Sequence, residues 1–251
     1  MSILQQIIDV KQQEIAAISL DIASTVTPTP CRSLVSKLDS TGLKCIAEVK
    51  KASPSKGLIY PDFNPIKLAT MFESNGAACI SVLTDVQFFK GAADYLTQVR
   101  ASVTLPVLRK DFIIHPLQVY ETKQMGADVM LLILDILTSE QANELMALAK
   151  ELNIEVLVEV HSESAYKRLQ DLTYVDIVGV NNRDLHTFTL DLGHALNFSK
   201  QLRQDMPDVK IVAESGYSKA EELKELEDNG IDGVLIGEGL SLYPSLLEFF
   251  K

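Results

Sequence analysis

Five apolar runs of this chain close on residues able to move protons or hold anions. They read Ile46-Ala47-Glu48-Val49-Lys50, Leu108-Arg109-Lys110-Asp111, Leu157-Val158-Glu159-Val160-His161, Gly179-Val180-Asn181-Asn182-Arg183 and Val212-Ala213-Glu214-Ser215-Gly216. If each run is a strand, its side chains alternate between two faces. Glu48 and Lys50 then share the face of Ile46, Lys110 that of Leu108, Asn181 and Arg183 share one face, and Glu159 lies between two valines pointing the other way. A single charge at a strand end is commonly just solvated. Glu48, Lys50, Lys110, Glu159, Asn181, Arg183 and Glu214 together interleave acids and bases, which suits acid–base chemistry, because crowded charges tune one another's pKa. A structural layer of ion pairs is the competing reading, since buried ionised groups are tolerated only when paired.

Two loops look suited to phosphate. Glu214-Ser215-Gly216-Tyr217-Ser218 and Gly237-Glu238-Gly239 are small and polar, as required where backbone N–H groups face an anion, and 240–243 can form a short extra helix. Ser218 and Glu221 have capping-box spacing for the helix that follows. A dinucleotide fingerprint fails, because Leu242 stands where Gly237-x-Gly239 needs its third glycine. The long polar loop 51–57 continues to Asn64-Pro65, an N-cap followed by proline at N1, and has the length of a lid or binding loop. Phe89 and Phe112 could wall a planar substrate or simply pack in the core. HExxH and GxSxG are absent, and His115, His161, His186 and His194 lack ligand spacing, so neither metal nor cofactor is expected.

Residues this far apart converge only if parallel strands gather them. Eight apolar, β-branched runs occur at 43–49, 78–83, 105–108, 129–134, 154–160, 175–180, 209–213 and 233–236, separated by segments of helical length. They lack clean polar alternation, as strands buried on both faces do. Gly76, Gly126 and Gly230 each precede a run, spaced 50 and 104 residues apart, or two and four units of 25 to 26 residues. An α/β fold, a closed (β/α)8 TIM barrel, fits this better than a doubly wound sheet, and it collects the C-terminal strand ends at one mouth. The chain reads as a single domain, with an N-terminal helical extension over about 1–40 and eight βα units over about 43–251.

The chain has 251 residues, 47% of them hydrophobic, enough for one large core. Its net charge of −11 disfavours nucleic acid and anionic membranes, which reward clustered Lys and Arg, and favours a small-molecule role. No apolar run approaches the roughly 18 residues of a membrane span. The amphipathic N-terminus lacks the basic segment of a signal peptide, and Cys31, Cys45 and Cys79 are an odd number without CxxC spacing. Reduced thiols and a cytoplasmic location are expected.

The segment 46–57, with Val107-Leu108-Arg109-Lys110-Asp111-Phe112, Leu157-Val158-Glu159-Val160, Asn181-Asn182-Arg183-Asp184-Leu185 and Ala213-Glu214-Ser215-Gly216, closely resembles the indole-3-glycerol phosphate synthase family. The motifs fall in family order, and the resemblance spans the chain from its N-terminal helix to its last residue. Glu48-x-Lys50-x-x-Ser53-Pro54-Ser55 is the most diagnostic segment.

The resemblance implies a lyase of tryptophan biosynthesis that closes, decarboxylates and dehydrates 1-(2-carboxyphenylamino)-1-deoxyribulose 5-phosphate to indole-3-glycerol phosphate. By the same resemblance Lys110 is the general acid and Glu159 the acid/base, with Lys50 and Glu48 at the substrate carboxylate and the dehydration step. Asn181, Arg183 and Glu214 position substrate, Ser53 meets its anthranilate end, and Ser215, Gly216, Gly237 and Glu238 bind phosphate, mainly through backbone N–H groups. Gly239 departs from the small hydroxyl or alanine common there, which puts a side-chain contact in doubt. The N-terminal extension would cover the barrel mouth. A chain ending one short helix after the eighth strand matches members not fused to phosphoribosylanthranilate isomerase. The expected partner is a phosphorylated small molecule, with the protein a monomer or weak homo-oligomer. The alternatives are an isomerase of aminated ribulose phosphates, a Schiff-base aldolase using Lys110, and a barrel without catalysis, the last disfavoured because the family's charged positions are all present.

Overall fold

The apolar runs become strands because β-branched and large aliphatic residues fit a pleated surface covered on both sides. In the structure, a computed structural model describing residues 2–54, 56–184, 187 and 189–251, they are β1 (Lys44–Val49), β2 (Cys79–Leu83), β3 (Val107–Lys110), β4 (Val129–Ile133), β5 (Glu155–Val160), β6 (Ile177–Asn181), β7 (Lys210–Glu214) and β8 (Gly233–Ile236). Among the described residues these eight close into a barrel in chain order, with β8 against β1 and every neighbouring pair parallel. The fold is a (β/α)8 TIM barrel. Following partners from Lys44 through Gly233, Val212, Gly179, Glu159 and Ile133, then carrying the β3 and β2 registers back to β1, returns the path at residue 52, a stagger of eight. At that stagger the interior is just wide enough to be filled by side chains.

Of the strands, β3 extends furthest past its apolar run. β3 starts at Val107 and continues through Arg109 and Lys110. Charged residues could extend it because Arg109 points outward into partners, donating to Thr84, Gln118, Thr122, Asp111 and Glu121. Inward positions Ile46, Leu108, Leu131, Leu157, Ile177, Val212 and Leu235 form the barrel's inner cluster. Outward positions such as Ala47, Val82, Val158 and Val180 pack in a second cluster with apolar residues of the surrounding helices. The recurrent glycines end helices as their spacing predicts: Gly76, Gly126 and Gly230 have φ of +98°, +87° and +72°, a left-handed turn that glycine makes without steric cost.

The N-terminal extension divides between the two ends of the barrel. Ser2 caps the helix Ile3–Ala17, accepting from the Gln5 amide at 3.2 Å, and Leu4 and Ile7 join the apolar cluster that includes Phe112. Lys11 on this helix ion-pairs with Asp85 and Asp111, which follow β2 and β3, so the helix sits at the mouth. Residues 32–38 instead close the opposite end. There the Arg32 guanidinium donates to Val103 O at 2.6 Å and Leu105 O at 3.0 Å, while Glu155 at the start of β5 accepts from the Leu34 and Val35 amides at 2.7 and 3.1 Å. Leu34 and Leu38 are buried beneath the inner cluster, each contributing about 1.5–3 kcal/mol by burial. Extension residues expected over the mouth thus partly form a plug at the other end.

Candidate active site

Barrel closure brings the five polar strand ends to one cavity of about 470 Å3, a volume typical of small-molecule sites. All the positions singled out from sequence line it: Glu48, Lys50, Ser53, Phe89, Lys110, Phe112, Glu159, Asn181, Arg183, Glu214, Ser215, Gly216, Gly237 and Glu238. Ser55 of the loop motif, and Leu185 and His186, lie outside the described residues.

Lys110 stands at the centre. Its Nζ is 2.7 Å from Glu159 Oε2 on β5 and 2.7 Å from Glu214 Oε2 on β7. Asn181 Nδ2 donates to the other Glu159 oxygen at 3.0 Å, and Asn181 Oδ1 accepts the Arg183 amide at 2.9 Å. Glu159 is thereby held from two sides. Glu48 ion-pairs with Lys50, two residues along the same strand face. A Cβ added at Gly179 would fall 2.2 Å from Glu214 Oε1 and force that carboxylate to move; the bare backbone makes room for it.

Burial and pairing oppose each other here. Burial disfavours the Lys110 ammonium, but the carboxylates of Glu159, Glu214 and Glu48 outweigh it and hold the pKa above the ordinary lysine value. Burial would also raise both partner carboxyls. Lys110 wins at Glu159 and keeps it below the usual carboxylate range, whereas at Glu214 burial and the Glu159 charge win and push it up to about 8. Two carboxylates around one ammonium thus retain one extra proton, which belongs to the pair as a unit.

The phosphate-type loops lie across the mouth. Ser215 and Gly216 both have positive φ, 70° and 95°, turning the chain sharply after β7. Asn182, 1% exposed, ties this turn down by donating to Ser215 O at 3.0 Å and Tyr217 Oη at 2.8 Å. Sequence reading passed over Asn182, although the doubled asparagine was a usable signal. The helix after this loop starts one residue later than the Ser218/Glu221 spacing predicts: Glu222 accepts the Ser218 and Lys219 amides at 2.8 and 3.1 Å, because its carboxylate reaches back over both orphan N–H groups. The short helix Glu238–Leu242 follows β8 as expected, and Lys56 bridges to Glu238 at 3.1 Å.

Gly239 matters for more than a side-chain contact. A Cβ there would lie 2.1 Å from the Tyr217 carbonyl oxygen, so the bare glycine sets the spacing of the two loops. Gly237 is equally confined: its Cβ would fall 2.1 Å from Glu48 Oε2 and 2.9 Å from Lys50 Nζ. Gly237→Ala is expected to displace the Glu48–Lys50 pair and lower kcat/KM by about 10²-fold, the cost of an ångström-scale misplacement. Steady-state kinetics check this, and unchanged values would mean that the pair can move freely.

The Phe89 and Phe112 rings stand 6.2 Å apart, tilted by 36°, and both line the cavity. Asp111 and Arg109 behind them escaped sequence reading because their parity faces them away from the barrel axis, and Asp85 because it lies beyond the end of β2. His161 has a supporting place, its Nδ1 2.7 Å from Asn181 O and its ring stacked 4.6 Å from His194.

Comparison with known proteins agrees with this geometry. The sequence profile of the family described as Indole-3-glycerol phosphate synthase matches residues 4–249. An indole-3-glycerol phosphate synthase of Legionella pneumophila (strain Paris) is 43% identical over 245 residues, covering 95% of this chain and 93% of that protein. One of Chlorobium phaeovibrioides is 42% identical over 257 residues, covering 98% and 97%. Another, of Acaryochloris marina, is 39% identical over 251 residues, covering 95% and 82%. With the match running through every strand that supplies the mouth, this chain belongs to the indole-3-glycerol phosphate synthase family.

Proposed function

We propose that this chain converts 1-(2-carboxyphenylamino)-1-deoxyribulose 5-phosphate to indole-3-glycerol phosphate, carbon dioxide and water. The observation that carries the reading is an ammonium, Lys110, clamped by two carboxylates within a mouth that also holds an aromatic pair and two glycine-containing loops. The carboxylate-bearing ring carbon attacks the ribulose carbonyl, and Lys110 donates a proton to the oxygen as the carbon–carbon bond forms. Carbon dioxide then leaves with its bonding electrons returning to the ring. Departure of the resulting hydroxyl as water needs one proton delivered and one removed, which Glu159 is placed to exchange through Lys110. Lys50, steadied by Glu48, meets the substrate carboxylate; Ser53 and the two phenylalanines meet the aryl end; Arg183, Asn181 and Glu214 orient the chain of the sugar. The amides around Ser215, Gly216, Gly237 and Glu238 take the phosphate.

Charge supports this assignment. The protein as a whole carries −11 and would repel a substrate bearing phosphate and carboxylate. Within the mouth Lys50, Lys56, Lys110 and Arg183 balance Glu48, Asp111, Glu238 and the Glu159–Glu214 pair, which keeps one proton, so the site itself does not share the negative charge of the protein as a whole. Formation of the fluorescent indole product tests the proposal against a protein background without tryptophan; absence of product with pure substrate would sink it.

The Schiff-base alternative requires a free amine, and Lys110 is held protonated. Borohydride added during turnover is expected to leave Lys110 unlabelled, and covalent capture there would reinstate that reading. The chain is further proposed to work as one barrel with its extension, as a cytoplasmic monomer or weak homo-oligomer, without metal or cofactor. Among the described residues no helix is long and apolar enough to cross a membrane.

A pH signature follows from the shared proton. Activity that uses the protonated pair declines as pH rises through about 8, the value to which Glu214 is pushed. Stability has the same sign: the folded state holds a proton that the unfolded carboxyl has already lost, so this contribution fades between the ordinary glutamate range and about 8. In Glu214→Gln the alkaline limb of the kcat profile should move or vanish, and an unaltered limb would place the titration elsewhere.

A further inference from the structure

Lys11 is the most unusual charge outside the catalytic cluster. It lies on the N-terminal helix Ile3–Ala17, yet it is 1% exposed, and its Nζ is 2.8 Å from Asp85, 2.9 Å from Asp111 and 2.8 Å from Glu14. Asp85 and Asp111 are themselves buried. A lysine on an amphipathic surface helix ordinarily keeps its ammonium in water, and burying it costs several kcal/mol unless its partners are well placed. Two of its three partners, Asp85 and Asp111, belong to different active-site loops. Asp85 Oδ1 accepts the amides of Phe88 and Phe89 at 2.7 and 3.1 Å. Asp111, next to Lys110, accepts the Phe112 amide at 2.8 Å and the Thr84 hydroxyl at 2.5 Å. Both phenylalanines of the cavity wall therefore hang from carboxylates that a single ammonium joins.

We infer that Lys11 is a positioning residue of the substrate site: from the N-terminal helix it locks the loops after β2 and β3 together, and thereby sets the separation of Phe89 and Phe112 and the approach of the aryl group to Lys110. Leu4 and Ile7 seat the helix in the same apolar cluster as Phe112, with Phe89 packed against it, but apolar contact alone does not fix the two loops relative to each other. The ammonium does so by direction and distance.

This inference rests on the proposed reaction, and the test separates the two. In Lys11→Met, a change of similar length without charge, KM for the substrate is expected to rise about tenfold with kcat changed much less, the split of a lost positioning contact. Because that variant leaves Asp85 without its cation, Lys11→Met/Asp85→Asn provides a second form in which the asparagine oxygen still accepts the Phe88 and Phe89 amides. It should fold at least as well and show the same rise in KM. A parent protein that makes no product would overturn the proposed reaction. An active parent, with KM unchanged in both variants, would overturn the role of Lys11 while leaving the reaction intact. So would failure of both variants to fold, since Lys11 would then serve the fold itself.

Discussion

Replacing Lys110 by alanine is expected to lower kcat by about 10³-fold or more, the upper part of the range for a single acid–base group, while KM changes far less. The reason is geometric. The ammonium lies in the mouth, 2.7 Å from each of two carboxylates, and alanine removes the donor assigned to protonate the ribulose carbonyl as carbon attacks it. The phosphate loops after β7 and β8 and the wall of Phe89 and Phe112 do not depend on it, so binding survives. The fold should survive too, because Glu159 and Glu214 can take up protons once their cation is gone. That uptake has a sign of its own: ionising the two orphaned carboxyls becomes costly as pH rises, so the variant should lose more stability at pH 9 than at pH 6 relative to the parent. Product fluorescence and thermal unfolding followed by circular dichroism measure both effects. Near-normal turnover in Lys110→Ala would remove Lys110 as the general acid.

The second large effect concerns Glu159. Glu159→Gln keeps the size of the side chain and an oxygen for Lys110, but sets an NH2 against the Asn181 Nδ2 donor, so one hydrogen bond is lost along with the exchangeable proton. A fall in kcat of about 10²-fold or more is expected, again the scale of one acid–base residue. Its place in the sequence of steps is readable from the products. If Glu159 works after carbon dioxide has left, the first turnover of the variant releases more carbon dioxide than indole-3-glycerol phosphate. Equal slow release of both would put Glu159 in the earlier step, and turnover like the parent's would show that Lys110 exchanges its protons with Glu214 or water instead.

Acid should loosen this part of the rim only near pH 2. Asp111 is buried, which alone would raise its pKa, but Arg109 and Lys11 override this and hold it down at about 2. Its stabilising contribution is present above the ordinary aspartate range and disappears as pH falls towards 2. The groups released when it protonates are Lys11 and the Phe112 amide, which tie the N-terminal helix to the loop after β3.

Much of the site was legible because its rules are local. The two-residue period of a strand assigns Glu48, Lys50, Lys110, Glu159, Asn181 and Glu214 to inward faces before any contact is known, and the glycines at 76, 126 and 230 mark the repeat. Barrel topology then sends all those strand ends to one mouth. What local rules treat as surface or outward was misread or missed. Lys11 looked like one polar residue of an amphipathic helix, Asp85 lies beyond the end of its strand, Asp111 falls at an outward-facing position, and Arg109 lengthened β3 only because partners from elsewhere neutralise it. Residues 32–38 gave no sign that they seal the far end, since the carboxylate they dock on belongs to a strand more than a hundred residues later, with separations of 120 to 122 positions.

The sequence by itself determined the barrel, the inward set of acids and bases, and the two loops suited to phosphate. Only the tertiary structure decided who meets whom. Lys110 finds Glu159 and Glu214 from 49 and 104 residues away, and the two carboxyls keep an extra proton because burial and their mutual repulsion act more strongly than the shared ammonium. Strand periodicity is a property of consecutive residues. Pairing, desolvation and the fit of a Cβ are properties of separation in space, which the stagger of the closed barrel sets and no window of sequence contains.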